Sequence, residues 1–203
     1  MDHRLPVLMG RRLLLREPTR ADGEHLFACA SDPEVTRFLA FDPPRSLDGA
    51  LDFIDRVQGW RRQDRAYVFL VASRATDEPC GVIGLRHIDM ALGTAEIGTW
   101  LRRSAWGTGT NGEAKALLLD YAFGPLGLHR VEARIAVEHA RSRRAFEKLG
   151  AVAEGTLRES FRKDGVVVDQ VLYAILAPEW RARGGAAAIV PVPDAARGST
   201  TNA

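Results

Sequence analysis

The segment from Leu101 to Phe123 combines a glycine-rich loop with the start of a helix, and it limits the possible folds of this chain more than any other feature. The loop contains Gly107, Gly109 and Gly112. Free amide groups at a helix start attract anions, and glycines let a loop approach an anion closely, so the segment predicts a site for a phosphorylated ligand. The helix is predicted from apolar residues at the spacing i, i+3, i+4, i+7 and i+8, which form one face: Ala114, Leu117, Leu118, Tyr121 and Ala122.

The glycine spacing alone leaves several functions open. Residues 107–112 match the pattern G-x-G-x-x-G of dinucleotide-binding loops. Such a loop belongs in the first βα unit, with an acidic residue at the end of the next strand, whereas this loop is in mid-chain and Glu132 lies inside the next predicted strand. A nucleoside triphosphate loop requires Lys and Ser or Thr after the last glycine, but Glu113-Ala114 stand there. A glycine-rich turn without a ligand is the remaining simple interpretation.

The segments around the loop favour a different ligand. A predicted strand at 95–101 precedes it, and the loop itself has the pattern W-G-x-G-x-x-x-E-A. Downstream follow G-L-H-R-V-E-A at 127–133 and R-S-R-R-A-F-E-K-L-G-A at 141–151. In this order the motifs resemble the acyl-CoA-binding core of the GNAT superfamily of N-acetyltransferases. The two downstream segments resemble its RimJ/RimL-type branch, whose members acetylate protein N-termini or small amines, and the resemblance covers residues 10 to 180.

The order of predicted elements indicates a single α+β domain. Helices are predicted after Asp22, after Asp32-Pro33, after Ser46 as the N-cap of a helix that buries Leu47, after the glycine loop, and before Gly150. Strands are predicted at 12–16, 67–72, 80–85, 95–101, 131–137, 156–163 and 166–176, the last two joined by an Asp164-Gly165 hairpin turn. The resemblance implies a GNAT-like mixed, mostly antiparallel sheet, splayed around an acyl-CoA site and flanked by helices. We predict a domain over residues 1–183 and a disordered tail over 184–203.

Charge and cysteine content narrow the class of partners. The 203 residues carry 28 Lys and Arg against 26 Asp and Glu, so no broad nucleic-acid surface is indicated. Cys29 and Cys80 lack metal-site spacing and predict reduced thiols in the cytoplasm, with no metal site. There is no apolar leader or run long enough to span a membrane. The partners that the resemblance implies are acetyl-CoA and an amine, and a homodimer stays open.

The resemblance implies that acetyl-CoA is the acyl-donor cosubstrate. Trp100 and Leu101 would offer backbone groups to its pantetheine and to the oxyanion of the reaction. The family pattern has Gln or Arg three residues before the first loop glycine, where this chain has Ser104, so Arg102 and Arg103 are either phosphate contacts or solvated charges. The pyrophosphate would lie on the backbone amides of Trp106, Gly107, Thr108, Gly109, Thr110 and Asn111.

Glu96 and Ser142 are the candidate catalytic residues. Glu96, in the strand that would border the splay, can take a proton from the acceptor ammonium group. Ser142 aligns with the serine of the family's N-x-x-S segment and either protonates the leaving thiolate, binds pantetheine, or only satisfies backbone amides in the first turn of its helix. His139 replaces the asparagine of that segment, and it would donate to pantetheine, titrate near neutral pH, or be a plain histidine at a strand end. Phe146 is expected near the cofactor. Other branches of the superfamily use a tyrosine on this helix as an acid, and phenylalanine cannot take that role.

These observations predict an acetyl-CoA-dependent N-acetyltransferase. The acetyl group would pass to a primary amine, either a protein N-terminal α-amine or a small-molecule amine, by direct attack and without a covalent enzyme intermediate. The alternatives are a catalytically weak acyl-CoA-binding regulatory protein, a transferase that uses a larger acyl-CoA, and a nicotinamide-dependent oxidoreductase. The acceptor stays open among a ribosomal-protein N-terminus, a lysine, an antibiotic and a polyamine.

Overall fold

A computed structural model describes residues 4–39 and 43–185. The predicted tail, apart from Gly184 and Gly185, lies outside the described residues and stays a prediction. In chain order the elements are β1 (Leu8–Met9), β2 (Leu13–Arg16), α1 (Gly23–Ala30), α2 (Pro33–Thr36), α3 (Leu47–Arg62), β3 (Ala66–Ser73), β4 (Pro79–Asp89), β5 (Thr94–Leu101), α4 (Thr110–Phe123), β6 (Arg130–Ala136), α5 (Ala140–Glu147), β7 (Val152–Lys163), β8 (Val166–Leu176) and α6 (Ala177–Ala182).

The described strands form one mixed sheet in the order β1-β2-β3-β4-β5-β6-β8-β7. Neighbouring strands are antiparallel except β5 and β6, which run parallel. That parallel contact is short: Thr94 pairs with Arg130, Ala95 with Val131 and Glu96 with Glu132, and no pairing follows. The sheet therefore splits into two arms beyond Glu96. The splayed, mostly antiparallel α+β sheet predicted from the sequence is confirmed.

The predicted helix cap at Ser46 and the predicted hairpin turn at Asp164-Gly165 are both present in the structure. The Ser46 hydroxyl accepts a hydrogen bond from the Gly49 amide at 3.1 Å, so it caps α3. The β7–β8 turn places Asp164 and Gly165 at φ of 49° and 82°, a conformation suited to this dipeptide. One burial prediction is wrong: Leu47 is 38% exposed, because it lies in the first turn of α3, where residues 45–48 are all exposed.

Helix α4 is buried on nearly all sides rather than along one apolar face. Leu119 and Phe123, outside the predicted face, are as buried as Leu118. The reason is topological, since α4 connects the two arms of the sheet and contacts β1, β2, β4, β6 and α5. Its side of the sheet forms the larger hydrophobic core, and a second core joins the opposite face to α1, α2 and α3. No helix in the described part of the chain has the length and apolar character that would let it cross a membrane.

Candidate active site

A cleft of about 1280 Å³ follows the gap between the two arms. Along β5, Ile97, Thr99 and Leu101 direct their side chains to the α4 side, whereas Glu96 and Trp100 face the α3 side, because neighbouring residues of a strand point to opposite faces. The cleft is lined from both sides. It therefore has an α4 side, next to the glycine loop, and an α3 side.

The free edge of β5 lies inside this cleft. Arg102 donates its amide proton to the Cys80 carbonyl at 2.8 Å, and the register then makes Val82 and Trp100 the next hydrogen-bonded pair. The backbone groups of Trp100 are therefore engaged with β4, contrary to the predicted contact with pantetheine. The Ile97 carbonyl and the backbone groups of Thr99 point into the gap instead, beyond the last parallel pair between Glu96 and Glu132. The sequence analysis missed these groups.

The glycine loop has the backbone geometry of an anion site. Gly107 and Gly109 have φ of 76° and 84°, in the left-handed region. A methyl group added at Gly107 would project into space free of other atoms within 4 Å. The amides of residues 107–109, 111 and 112 donate no hydrogen bond to a described residue, and they surround the N-terminus of α4.

Arg12 and Glu113 hold this loop in place across about a hundred residues of sequence. The Glu113 carboxylate accepts hydrogen bonds from the amides of Arg12 and Leu13 and from Arg12 Nε, at 2.7, 3.2 and 3.0 Å. Arg12 Nη1 also donates to the Thr108 carbonyl at 3.0 Å. Burial acts to raise the pKa of Glu113, but the hydrogen bonds from Arg12 and Leu13 outweigh it and lower the pKa. The first strand thereby fixes the loop, which no local pattern could show.

Trp106 closes the loop from the other end. Its Nε1 donates to the Leu101 carbonyl at 2.9 Å, so this carbonyl, predicted to contact pantetheine, already has a partner. The Thr108 hydroxyl bonds the Ala105 carbonyl and the Thr110 hydroxyl, both at 2.8 Å. Arg141 lies with its guanidinium carbon 3.4 Å from the centre of the Trp106 ring. Arg141 was not predicted as a site residue, although it directly precedes Ser142.

Three polar side chains on the α4 side of the cleft have no partner in the described part of the chain. Thr99 Oγ1 and Asn111 Oδ1 are buried without a hydrogen bond. Lys115 is 5% exposed, lines the cleft and forms no ion pair with a described residue. Among the described residues, the charge of Lys115 is stabilised by the Phe146 ring, whose centre is 5.6 Å from Nζ. Because buried polar groups are normally paired, these atoms indicate a ligand between α4 and β5.

Burial and local positive charge determine which groups are ionised here. Burial lowers the pKa of Lys115 to about 8, so the amine is still mostly protonated at pH 7. His139 stacks on Phe38 with ring centres 4.2 Å apart. Burial, and then the charges of Arg141, Lys115 and Arg37, lower its pKa to about 4. The prediction that His139 titrates near neutral pH is therefore wrong, and the ring is neutral.

Ser142 and Phe146 lie on the cleft side of α5. The Ser142 hydroxyl is part of the lining and has no hydrogen-bond partner among the described residues, so it does not cap its own helix. The Phe146 ring is fully buried and meets the Tyr173 ring edge-on at 6.1 Å. Phe146 thus forms an apolar floor between Lys115 and the core.

Glu96 lies at the point where the arms separate, but it does not itself line the cleft. It is 7% exposed, and its Oε1 accepts a hydrogen bond from Arg86 Nη2 at 2.6 Å. Its Oε2 is 4.0 Å from His87 Nε2 and accepts no hydrogen bond from the described residues. Arg86 and His87 do line the cleft, on its α3 side. The carboxylate is therefore oriented by Arg86 and keeps one oxygen free.

Arg102 and Arg103 point away from the loop. Arg102 forms an ion pair with Glu78, and Arg103 Nη2 is 2.9 Å from Asp32 Oδ1. Neither lines the cleft. These positions argue against the predicted contact between Arg102 and phosphate. The cations that face the α4 side of the cleft are Lys115, Arg141, Arg144 and Lys148.

Comparisons with known proteins agree with this architecture. The model of the acetyltransferase (GNAT) domain matches residues 12–152. The uncharacterized N-acetyltransferase p20 of Bacillus licheniformis is 33% identical over 176 residues, covering 87% of this chain and 99% of the relative. A GCN5-related N-acetyltransferase from Brucella melitensis aligns with a TM-score of 0.77 and 28% identity, over 87% of this chain and 80% of that one. The microcin C7 self-immunity acetyltransferase MccE, solved with acetyl-CoA and AMP, shares the fold with a TM-score of 0.75 at 22% identity, over 82% and 93% of the two chains.

The chain therefore belongs to the GNAT family of acetyltransferases. It is an acyltransferase whose cosubstrate is acetyl-CoA, as predicted from the sequence. This assignment replaces the nicotinamide-dependent alternative that the glycine spacing had left open. The unpaired groups described above fit such a ligand, since pantetheine carries amides and pyrophosphate carries negative charge.

Proposed function

We propose that this protein is an N-acetyltransferase of the RimJ/RimL type that acetylates a primary amine, either a protein N-terminal α-amine or a small-molecule amine. The observation that carries the proposal is the free edge of β5 next to unpaired loop amides. Ile97 and Thr99 offer backbone groups in the gap, and the amides at 107–109, 111 and 112 lie where that gap reaches α4. A ligand that joins an amide-containing chain to a pyrophosphate would satisfy the edge of β5 and the loop amides at once.

The α4 side of the cleft binds and orients the cosubstrate in this proposal. The loop amides and the N-terminus of α4 accept the pyrophosphate, with Lys115 and Arg141 adding positive charge. Thr99 Oγ1 and Asn111 Oδ1 gain the partners they lack. Acetyl-CoA brings an acetyl group already activated as a thioester, so the protein mainly positions the amine and moves its proton.

Glu96 is the proposed proton acceptor. Its free Oε2 lies at the vertex of the splay, where an amine on the α3 side would approach the thioester, directly or through water. Arg86 fixes the carboxylate by holding Oε1. Ser142, whose hydroxyl has no hydrogen-bond partner among residues 4–39 and 43–185, is the proposed donor to the leaving thiolate.

Direct attack is supported by the positions of the two thiols. Cys29 and Cys80 do not line the cleft, and burial raises the pKa of both, that of Cys29 to about 12. Neither is a thiolate nucleophile at neutral pH. A covalent acetyl-cysteine step therefore has no support in this site.

The test measures the consumption of acetyl-CoA through the thiol that is released. The acceptors are peptides with different N-terminal residues, free lysine, spermidine and an aminoglycoside. We expect saturable transfer to at least one of these amines and calorimetric binding of acetyl-CoA. Longer acyl-CoAs in the same assay address the acyl-chain alternative. Binding without transfer to any amine would support the regulatory alternative instead.

A further inference from the structure

The α3 side of the cleft has a charge distribution that the transferase reaction does not require. No Asp or Glu lines the cleft within residues 4–39 and 43–185, although the whole chain has nearly as many acidic as basic residues. The basic residues at the α4–α5 wall are accounted for by the phosphates of the cosubstrate. Arg56, Arg65, Arg86 and Arg134 line the cleft on the other side of the sheet, and of these four only Arg86 has a role in the proposed reaction, through its hydrogen bond to Glu96.

Three of these arginines belong to one connected group. The Arg56 guanidinium carbon is 5.8 Å from the centre of the Trp60 ring, one turn further along α3. The Arg65 amide donates to the Trp60 carbonyl at 2.9 Å. The next residue, Ala66, is in register with Arg86 on β4, and Arg86 is in register with Glu96. The group thus extends from α3 to the vertex of the splay.

Arg134 completes the group from the second arm. It lies on β6, two residues beyond Glu132, which is in register with Glu96. Its side chain points to the α3 side, because Ala133 and Ile135 point to the core on the α4 side. The arginines therefore come from both arms and face the space where an acceptor amine would approach.

The space between them is open and has few acidic groups. Gly98 forms part of the floor, and a methyl group added there would have no atom within 4 Å. Glu96 and Glu132 are the acids at this end, and neither lines the cleft. Arg86 pairs with Glu96, and Arg130 pairs with Glu132. Asp64, next to Arg65 in sequence, accepts a hydrogen bond from the Tyr67 hydroxyl at 2.8 Å and does not line the cleft. Arg56, Arg65 and Arg134 form no ion pair with a described residue.

We infer that the acceptor carries negative charge near its reactive amine, as an acidic N-terminal peptide does. This inference rests on the proposed function and specifies its substrate class. Positive charge facing the acceptor attracts such a molecule and repels a polyamine, since like charges brought into one cleft cost free energy while opposite charges increase association. Guanidinium groups also match carboxylates with paired hydrogen bonds.

The test compares three C-terminally amidated peptides that share an N-terminus: Ala-Ala-Asp-Asp, Ala-Ala-Asn-Asn and Ala-Ala-Lys-Lys. We expect kcat/KM to fall in that order, by roughly 10-fold at each step at low ionic strength. The differences should arise mainly in KM and shrink as salt is added, because salt screens the arginines. A preference for the Lys-Lys peptide, or equal values for all three, would overturn the inference.

Two variants connect the preference to the proposed residues. The double variant Arg56→Gln/Arg65→Gln should narrow the ratio between the Asp-Asp and Lys-Lys peptides by about 10-fold. Arg62→Gln is the matched control, because Arg62 is on the same helix and exposed but does not line the cleft, and its ratio should equal that of the unmodified protein. An unchanged ratio in the double variant would show that the preference has another origin.

Failure of the proposed function would give a different result. In that case neither the peptides nor spermidine would release thiol and calorimetry would detect no acetyl-CoA binding, which would remove the acceptor inference as well. Acetyl transfer with a preference for Lys-Lys or spermidine would leave the transferase proposal intact and overturn only the anionic acceptor.

Discussion

The α4 side of the cleft is built mainly from backbone groups, whereas the α3 side is built from side chains. Loop amides, a helix start and a strand edge form the first, and these come from one continuous segment of chain, Ile97 to Lys115. The second combines arginines from α3, β4 and β6 with Glu96. Backbone groups are present whatever the residue type, so they suit a cosubstrate that stays the same. Side chains can be replaced one at a time, so they suit the recognition of a particular acceptor. The comparison implies that changes on the α4 side affect binding of acetyl-CoA and changes on the α3 side affect turnover or acceptor choice.

The largest expected effect is on the α3 side. Glu96→Gln keeps the contact with Arg86 but cannot accept a proton, so kcat at neutral pH should fall by roughly 10²-fold or more. The Kd for acetyl-CoA should be unchanged. The loss should shrink above about pH 8, where an N-terminal amine is already largely neutral.

The matched control for Glu96 is Glu132→Gln. Glu132 lies in the same row of the sheet and accepts a hydrogen bond from Arg130 at 2.7 Å, yet it does not line the cleft. The Glu132→Gln variant should keep close to full activity. Full turnover in the Glu96 variant would instead mean that water or the acceptor itself disposes of the proton.

The second effect is on the α4 side. Gly107→Ala places a methyl group in the phosphate cradle, and we expect acetyl-CoA to bind about 30-fold more weakly by calorimetry, as amide contacts are lost. Gly165→Ala is the control, because both glycines have positive φ and open surroundings, so the backbone strain is similar. Equal affinities of the two variants would show that the loop is only a turn.

A third variant separates stability from binding. Lys115→Met removes a buried ammonium group, so the free energy of unfolding at pH 7 should rise by at most about 3 kcal/mol, given a pKa lowered from 10.5 to about 8. The folded state loses the Lys115 proton before the unfolded state does. The unmodified protein should therefore gain stability between about pH 8 and pH 10.5, and the advantage of the variant should vanish above that range.

The same Lys115 variant should bind acetyl-CoA roughly 10-fold more weakly, because a cation near the phosphates is lost. Lys148→Met, at an exposed position on the same cleft, should leave the unfolding free energy nearly unchanged. A Lys115 variant that is more stable and binds acetyl-CoA normally would mean that the amine serves neither ligand nor fold.

The smallest effect is expected at Arg102. Because Arg102 is paired with Glu78 away from the loop, Arg102→Gln should change the Kd for acetyl-CoA by less than about 2-fold, and an exposed ion pair contributes little to stability. Arg141→Gln, which removes the guanidinium stacked on Trp106, should weaken binding about 10-fold. A larger loss of affinity in the Arg102 variant than in the Arg141 variant would restore the predicted contact between Arg102 and phosphate.

The sequence predicted the helix, strand and glycine loop of the α4 side because their information is local. Glycines at 107 and 109, the helix after them and the strand before them are contiguous, and their spacing specifies backbone geometry. The direction of each backbone group was not accessible in the same way. It depends on the register between β4 and β5 for Trp100, and on Trp106 for the Leu101 carbonyl. These engaged groups could therefore not be distinguished from the free groups of Thr99 and the Ile97 carbonyl.

Side chains whose role depends on distant partners were missed or misassigned. Arg12 contacts Glu113 and Thr108 only because β2 lies beside α4 in the fold. No local pattern in the sequence marks Lys115 as buried, because its burial follows from the packing of α5 against α4. The low pKa of His139 also depends on the fold, which buries the ring and brings Arg141, Lys115 and Arg37 near it. Arg102 was a candidate phosphate contact because of its proximity in sequence, whereas Glu78, directly before β4, determines its direction.

The short parallel contact between β5 and β6 has a consequence for protein association. Unpaired strand edges usually lie at the rim of a sheet, where strands of other molecules can join and start aggregation. In this molecule the edge from Ile97 to Leu101 is in the interior of the sheet, with an arm on either side. A second polypeptide strand needs about 4.8 Å of spacing on each side and a full row of partners, and here the arms meet at Glu96 and close one end of the gap. The edge is thereby shielded from other proteins while it stays open to a thin, flexible ligand entering from the wide end.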